Sequence, residues 1–72
     1  MNSLKKKLGC KLFQARVDAG LSQLAVSQTG IVSQSHLSKI ENGDLLINIF
    51  TLVRLSQLYR KNIEYFTNDL IE

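Results

Sequence analysis

Most of the information about the fold is in Ser33–Gly43, which has the sequence SQSHLSKIENG. Leu37 and Ile40 are three residues apart, so both fall on one face of a helix. Neither a bulky nor an acidic side chain interrupts the opposite face before Glu41, and that face carries small or flexible polar residues: Gln34, Ser35, Ser38, Lys39 and Asn42. A helix of this kind can lie close in a groove and exchange hydrogen bonds with its walls, as recognition in the DNA major groove requires.

The segment before this helix predicts two more helices. The first runs from Leu4 to Ala19 with Ser3 as its N-cap, and Gly20 ends it. Its apolar residues recur at spacings of three and four and predict a buried stripe: Leu4, Leu8, Leu12, Ala15 and Ala19. The second helix has Ser22 as N-cap and extends to about Thr29. Its inward residues are Val26 together with Leu24 or Ala25.

A turn through Gly30 to Val32 leads to the third helix, which has Ser33 as N-cap and ends at Glu41 or Asn42. Asp44–Ile47 is then a linker. The chain contains no proline, so glycines and polar caps alone mark the ends of the helices.

Two further helices are predicted in the last third of the chain. Asn48 caps a helix that ends at Tyr59, with Val53 beside an inner stripe of Ile49, Leu52, Leu55, Leu58 and Tyr59. Asn62 caps a last short helix, and Ile63 and Phe66 close the core. Beyond Asp69 we expect fraying unless Leu70 and Ile71 find a partner. No alternation typical of a strand persists, so the fold class is all-α, with five short helices in a single domain, 1–72.

Composition excludes several classes of function. No wholly apolar run is longer than the three residues of Leu45–Ile47, far too short to span a membrane, and no secretion signal is evident. The single cysteine excludes an internal disulfide and fits a reducing, cytoplasmic environment. With one histidine and one cysteine, the chain offers no nucleophile–base pair and no metal cluster. We therefore expect neither an enzyme, nor a cofactor, nor a metal site. The net charge of +3 is only weak evidence for a polyanionic partner.

The residue identities in two segments are more specific than the pattern of helices. Leu21–Gln23, with the sequence LSQ, and Ser33–Gly43 closely resemble the Cro/XRE family, the lambda-repressor-like helix-turn-helix domains of bacteria and phages. The resemblance extends from about Leu8 through Phe66 and places the helix-turn-helix at about 22–42. One difference lies in the turn, where Ile31 stands at the family's usual glycine and Gly30 comes one residue earlier. Because a β-branched residue avoids positive φ, we expect the second helix to end early, with Gly30 left-handed.

The resemblance implies roles for individual residues. Base edges would be contacted by Gln34, Ser35 and Lys39, with Ser38 allowing close approach of the helix. Gln23 and Asn42 would contact the DNA backbone, Gln23 also bracing the recognition helix. His36 lies between the polar face and the core, so it can touch a phosphate or pack sideways, and Lys11 is a further candidate for a phosphate contact. Arg16 and Glu41 match a partly buried salt bridge. The run Lys5–Lys7 is typical of a solvated helix face, although it too could reach phosphates.

Phe50 shares a face of the fourth helix with three polar residues, Arg54, Gln57 and Lys61, so it should point outward. It is either a lone exposed aromatic residue or part of a dimer contact together with Leu45, Leu46 and Tyr65, since relatives often dimerise through this region.

The expected function is a sequence-specific, double-stranded DNA-binding transcriptional regulator of repressor or controller type. It would bind a pseudo-palindromic operator as a homodimer and block or contact RNA polymerase. The alternative is a protein-interaction module that keeps the fold without reading DNA.

Overall fold

The computed structural model describes residues 3–68, and all regular structure in that range is helical. The five helices are α1 (Leu4–Asp18), α2 (Gln23–Ser27), α3 (Gln34–Glu41), α4 (Ile49–Tyr59) and α5 (Ile63–Thr67). This confirms the predicted all-α fold class and the order of its helices. The fraying predicted beyond Asp69, and the roles considered for Leu70 and Ile71, lie outside the described residues.

Polar caps fix where the helices begin. The side-chain oxygens of Ser3, Ser22, Ser33 and Asn48 each accept a hydrogen bond from the backbone N–H three residues on, at distances of 3.3, 3.0, 3.1 and 2.9 Å. Each bond satisfies a donor that the helix itself leaves unpaired. Asn62 occupies the N-cap position of α5, but its side chain makes no capping bond.

The turn between α2 and α3 begins earlier than the sequence predicted. Thr29 Oγ1 donates to Val26 O at 2.6 Å and accepts from the backbone N–H of Ile31 at 3.2 Å, which ends the helical hydrogen-bond pattern. Helix α2 therefore ends at Ser27 instead of Thr29. Gly30 has φ +82°, so the left-handed glycine expected at this position is present.

The core lies where α1 meets the other helices. α1 packs against α3, α4 and α5, while α2 packs against α3, and α4 against α5. The buried apolar side chains are Leu8, Leu12, Ala15, Val26, Leu37, Ile40, Leu52, Leu55, Tyr59 and Phe66. Ile63 and Leu58 pack against this core without being fully covered.

Several residues predicted to be inside are exposed. Leu4 and Ile49 are the first residues of their helices, and Ala19 follows the last residue of α1, so none of them has a neighbouring helix opposite. Of the two alternatives given for the inner face of α2, Leu24 is exposed and Ala25 is half-buried, because α2 packs against α3 with Val26 as its buried residue. Val53, placed beside the inner stripe of α4, is 38% exposed. Periodicity identified the faces of these helices but not how far the neighbouring helices cover them.

Helix α1 approaches the end of α3 very closely at Gly9. A Cβ atom at this position would lie 2.6 Å from the carbonyl oxygen of Ile40 and 2.8 Å from that of Glu41. Only glycine allows two backbones this close, so Gly9 determines how α3 sits on α1.

Candidate nucleic-acid interface

The outer face of α3 is open and polar. Leu37 and Ile40 are buried beneath it and hold the helix against the core. Gln34, Ser35 and Lys39 are exposed, and no side-chain hydrogen bond or ion pair with another described residue occupies them. Ser38 is half-buried, while His36 and Asn42 are exposed. The face therefore presents an amide, hydroxyls and an amine that can bond to an external partner.

Arg16 and Glu41 form a bidentate salt bridge. Arg16 Nε donates to Glu41 Oε2 at 2.7 Å and Nη2 donates to Oε1 at 3.0 Å, with both side chains at most 10% exposed. The bond to Glu41 is the largest influence on Arg16 and raises the pKa of its guanidinium. Arg16 Nη1 also donates to the backbone oxygen of Leu21 at 2.8 Å. One guanidinium thus joins α1, the entry to α2 and the last residue of α3.

Gln23 completes this cluster. Its side-chain nitrogen donates to Glu41 Oε1 at 3.0 Å, so Glu41 accepts from both α1 and α2. This has two consequences. The only carboxylate of α3 is paired inside the cluster, so the outer face carries no acidic group of its own. The amide of Gln23 is also oriented, with its second N–H and its carbonyl oxygen not used by Glu41.

Lys11 lies on another side of the domain. Its ammonium is 4.8 Å from the centre of the Tyr65 ring, and that of Lys61 is 4.7 Å from the same ring. Tyr65 in turn packs edge-on against Phe66 at 5.0 Å. The structure therefore groups Lys11 with α5, which does not contact α3 among the described residues.

Exposed apolar residues lie just before α4 and in its first half. We call Leu45, Leu46, Ile49, Phe50 and Val53 the α4 apolar surface. All five side chains are exposed, and Phe50 is the most exposed at 78%. Tyr65, which the sequence placed with them, is not in this group. It lies beside Lys61 at the opposite end of α4, about 15 Å along a helix that rises 1.5 Å per residue.

Some details of the site were not predicted from the sequence. The resemblance implied that Gln23 braces the recognition helix, but it did not identify Glu41 as the residue of α3 that accepts its hydrogen bond. Lys6 donates to the backbone oxygen of Asn42 at 3.3 Å, which also was not expected. Gly9 did carry a signal, because a glycine inside a helix lowers helix stability and so indicates a packing requirement.

The described residues contain no cluster of histidine, cysteine or acidic residues that could hold a metal ion. In the same part of the chain, no helix has the length and apolar character needed to cross a membrane.

Two helices joined by a glycine turn, the second anchored by apolar residues and open on a polar face, define a helix-turn-helix. A comparison with family models agrees, since residues 12–66 match the helix-turn-helix family of Cro/C1, XRE-like type. The chain belongs to this family, and it is a DNA-binding helix-turn-helix regulator with a lambda-repressor-like fold. Comparisons with curated proteins and with solved structures gave no match.

Proposed function

We propose that the protein is a sequence-specific transcriptional regulator that binds double-stranded DNA with α3 in the major groove. The observation that carries this proposal is the outer face of α3. Gln34, Ser35 and Lys39 are exposed and make no side-chain bond within residues 3–68, on a helix that Leu37 and Ile40 hold in place. Their donors and acceptors match the groups that base pairs present in that groove.

Each side chain suits a particular contact. The planar amide of Gln34 can donate to N7 and accept from N6 of adenine, and Lys39 can donate to O6 and N7 of guanine. Ser35 is short and contacts a base or a thymine methyl group only where the helix lies deep. Ser38, half-buried beside it, leaves room for that approach. A good bidentate pair contributes about 1–3 kcal/mol of discrimination, so a single copy of this domain would bind weakly.

Phosphate contacts are assigned to residues around α3. Gln23 has a second N–H beyond the one that Glu41 uses, and Asn42 follows the helix directly. His36 is exposed beside the polar face and can donate to a phosphate. Lys11 remains a candidate, but its ammonium lies over Tyr65, so a phosphate would have to approach the side formed by α1 and α5.

A homodimer on a pseudo-palindromic operator would supply the affinity that one domain lacks. The α4 apolar surface, with Phe50, Leu45 and Leu46, is the proposed contact between subunits. Two recognition helices would then contact half-sites about one turn, roughly 34 Å, apart. Occupancy would repress a promoter or, from an adjacent site, contact RNA polymerase. Such a regulator acts in the cytoplasm, where its DNA lies.

A salt titration tests the proposal. Fragments of the source genome that the protein retains are sequenced, and the selected duplex is used in gel-shift assays at increasing salt. Because phosphate contacts release counterions, affinity should fall steeply and linearly on a log–log plot. A scrambled duplex of equal length should bind more weakly. Binding that is absent even at low salt, or indifferent to salt, would instead favour a protein-interaction module built on the α4 apolar surface.

A further inference from the structure

The first turn of α1 lies against the C-terminal end of α3. Lys6 Nζ donates to the backbone oxygen of Asn42 at 3.3 Å. Gly43 is buried under the same side chain, since a Cβ atom there would be 2.8 Å from Lys6 Cγ. The close approach at Gly9 fixes the two helices in this arrangement one turn further along α1. Lys6 is therefore held next to the recognition helix, far from it in sequence but adjacent in space, and Lys5 precedes it in the same helical turn.

The charge in this region is positive. Lys5 and Lys6 are exposed, and Lys39 lies in the last turn of α3. Glu41 is engaged with Arg16 and Gln23, which leaves Asp44 as the exposed carboxylate that follows α3. The first turn of α1 contains no acidic residue, although lysines at a helix N-terminus oppose the helix dipole and destabilise the helix. The fold thus retains an unfavourable concentration of positive charge beside the DNA-binding face.

The length of α3 brings this end close to the DNA backbone. In a helix-turn-helix, the N-terminal residues of the recognition helix contact the base edges. Eight helical residues extend about 12 Å, so the C-terminal end of α3 lies this far from the base-contacting end, toward the phosphates that border the groove. The ammonium of Lys6 has three N–H groups, and Asn42 uses one of them.

We propose that Lys5 and Lys6 bind DNA phosphates beside the C-terminal end of α3, as a sequence-independent extension of the DNA interface. This inference rests on the proposed function, but it adds a surface from a helix outside the helix-turn-helix. It also gives the Lys6–Asn42 contact a second role, because the contact directs an ammonium toward the phosphate that borders this end of the groove.

Two variants and one control test the inference. Lys5→Ala removes an exposed side chain, and Lys6→Met removes the charge while keeping a stem that can pack on Gly43. Arg60→Asn is the matched control, because it removes one positive charge from the turn between α4 and α5, and asparagine tolerates the left-handed conformation (φ +60°) of that position. Circular dichroism establishes that each variant is folded. Affinities for the selected duplex and a scrambled duplex are then measured from 50 to 300 mM salt.

Lys5→Ala and Lys6→Met should each weaken both duplexes by the same factor and reduce the salt slope by about 0.9 for each lost phosphate contact. Arg60→Asn should leave the slope unchanged. Unchanged slopes for both lysine variants, or an equal loss with Arg60→Asn, would overturn the inference while the proposed function stands. Absence of salt-dependent binding by the wild-type protein would overturn both.

Discussion

Gly9 shows how a single missing side chain sets the position of the recognition helix. Alanine is the better helix former by about 1 kcal/mol, so propensity alone predicts that Gly9→Ala stabilises α1. The structure predicts the opposite, because the new Cβ would meet two backbone oxygens at 2.6 and 2.8 Å that cannot rotate away. We expect the free energy of unfolding, measured with urea, to fall by about 1–3 kcal/mol. The exposed neighbour Cys10 supplies the control, since Cys10→Ala should change it by less than about 0.5 kcal/mol. A Gly9→Ala protein as stable as the wild type would contradict this account.

Tyr59 couples the core to pH in the alkaline range. Its ring is buried, and its hydroxyl has no hydrogen-bond partner among the described residues. Burial, and then the charge of Glu41, raises the pKa of Tyr59 to about 12 against the lowering effect of Arg16. Between pH 10 and 12 the unfolded chain has therefore lost a proton that the folded chain keeps, so the free energy of unfolding must fall as pH rises.

Tyr59→Phe isolates this effect, because every other ionisable group is the same in both proteins. Near pH 8 the variant should be at least as stable as the wild type, since it removes a buried hydroxyl without a partner. By pH 12 its advantage should grow by up to about 2.7 kcal/mol. Urea unfolding curves at pH 8, 10 and 11.5 measure the difference. A constant difference across these values would show that the phenol titrates alike in both states.

At the scale of the helix, the local sequence predicts where a helix begins and ends better than it predicts which of its residues are buried. Ser33 caps α3 through a bond only three residues long, and Leu37 and Ile40 identify the inner face by spacing alone. The exposure of Leu24 depends on how much of α2 another helix covers, which no local pattern contains. The bond from Gln23 to Glu41 depends on how two helices cross and on two rotamers. The Arg16–Glu41 salt bridge was expected only because of the family resemblance.

The recognition helix makes a prediction that distinguishes base contact from phosphate contact. Gln34→Ala removes an exposed amide that makes no bond within the described part of the chain, so stability should change by less than about 0.5 kcal/mol. Affinity for the selected duplex should fall by about 1–3 kcal/mol, and the preference at one base pair should relax. Fluorescence anisotropy on a panel of duplexes, each with one substituted base pair, measures both effects. Equal losses on every duplex would assign Gln34 to the backbone instead.

At the scale of the whole molecule, polar and apolar groups are exposed in different regions. The face of α3 offers hydrogen-bonding groups, while the α4 apolar surface exposes five apolar side chains that the fold does not cover. One exposed apolar residue needs no explanation, but five exposed apolar side chains within residues 45–53 favour a partner. In a homodimer, the partner would be the same surface on a second copy, and the two recognition helices would be related by the two-fold axis.

Phe50→Lys tests that arrangement. Since Phe50 is 78% exposed, the substitution should leave the fold intact, yet it would place two like charges across a two-fold contact and remove an aromatic anchor. A loss of about 2 kcal/mol or more corresponds to a roughly 30-fold weaker dimer, measurable by sedimentation equilibrium. Val17→Lys, at another exposed apolar residue on α1, should leave the dimer unchanged. The Phe50→Lys protein should then lose more affinity for a full operator than for a single half-site, because only the operator uses both copies. If the variant sediments like the wild type, the subunits meet elsewhere or not at all.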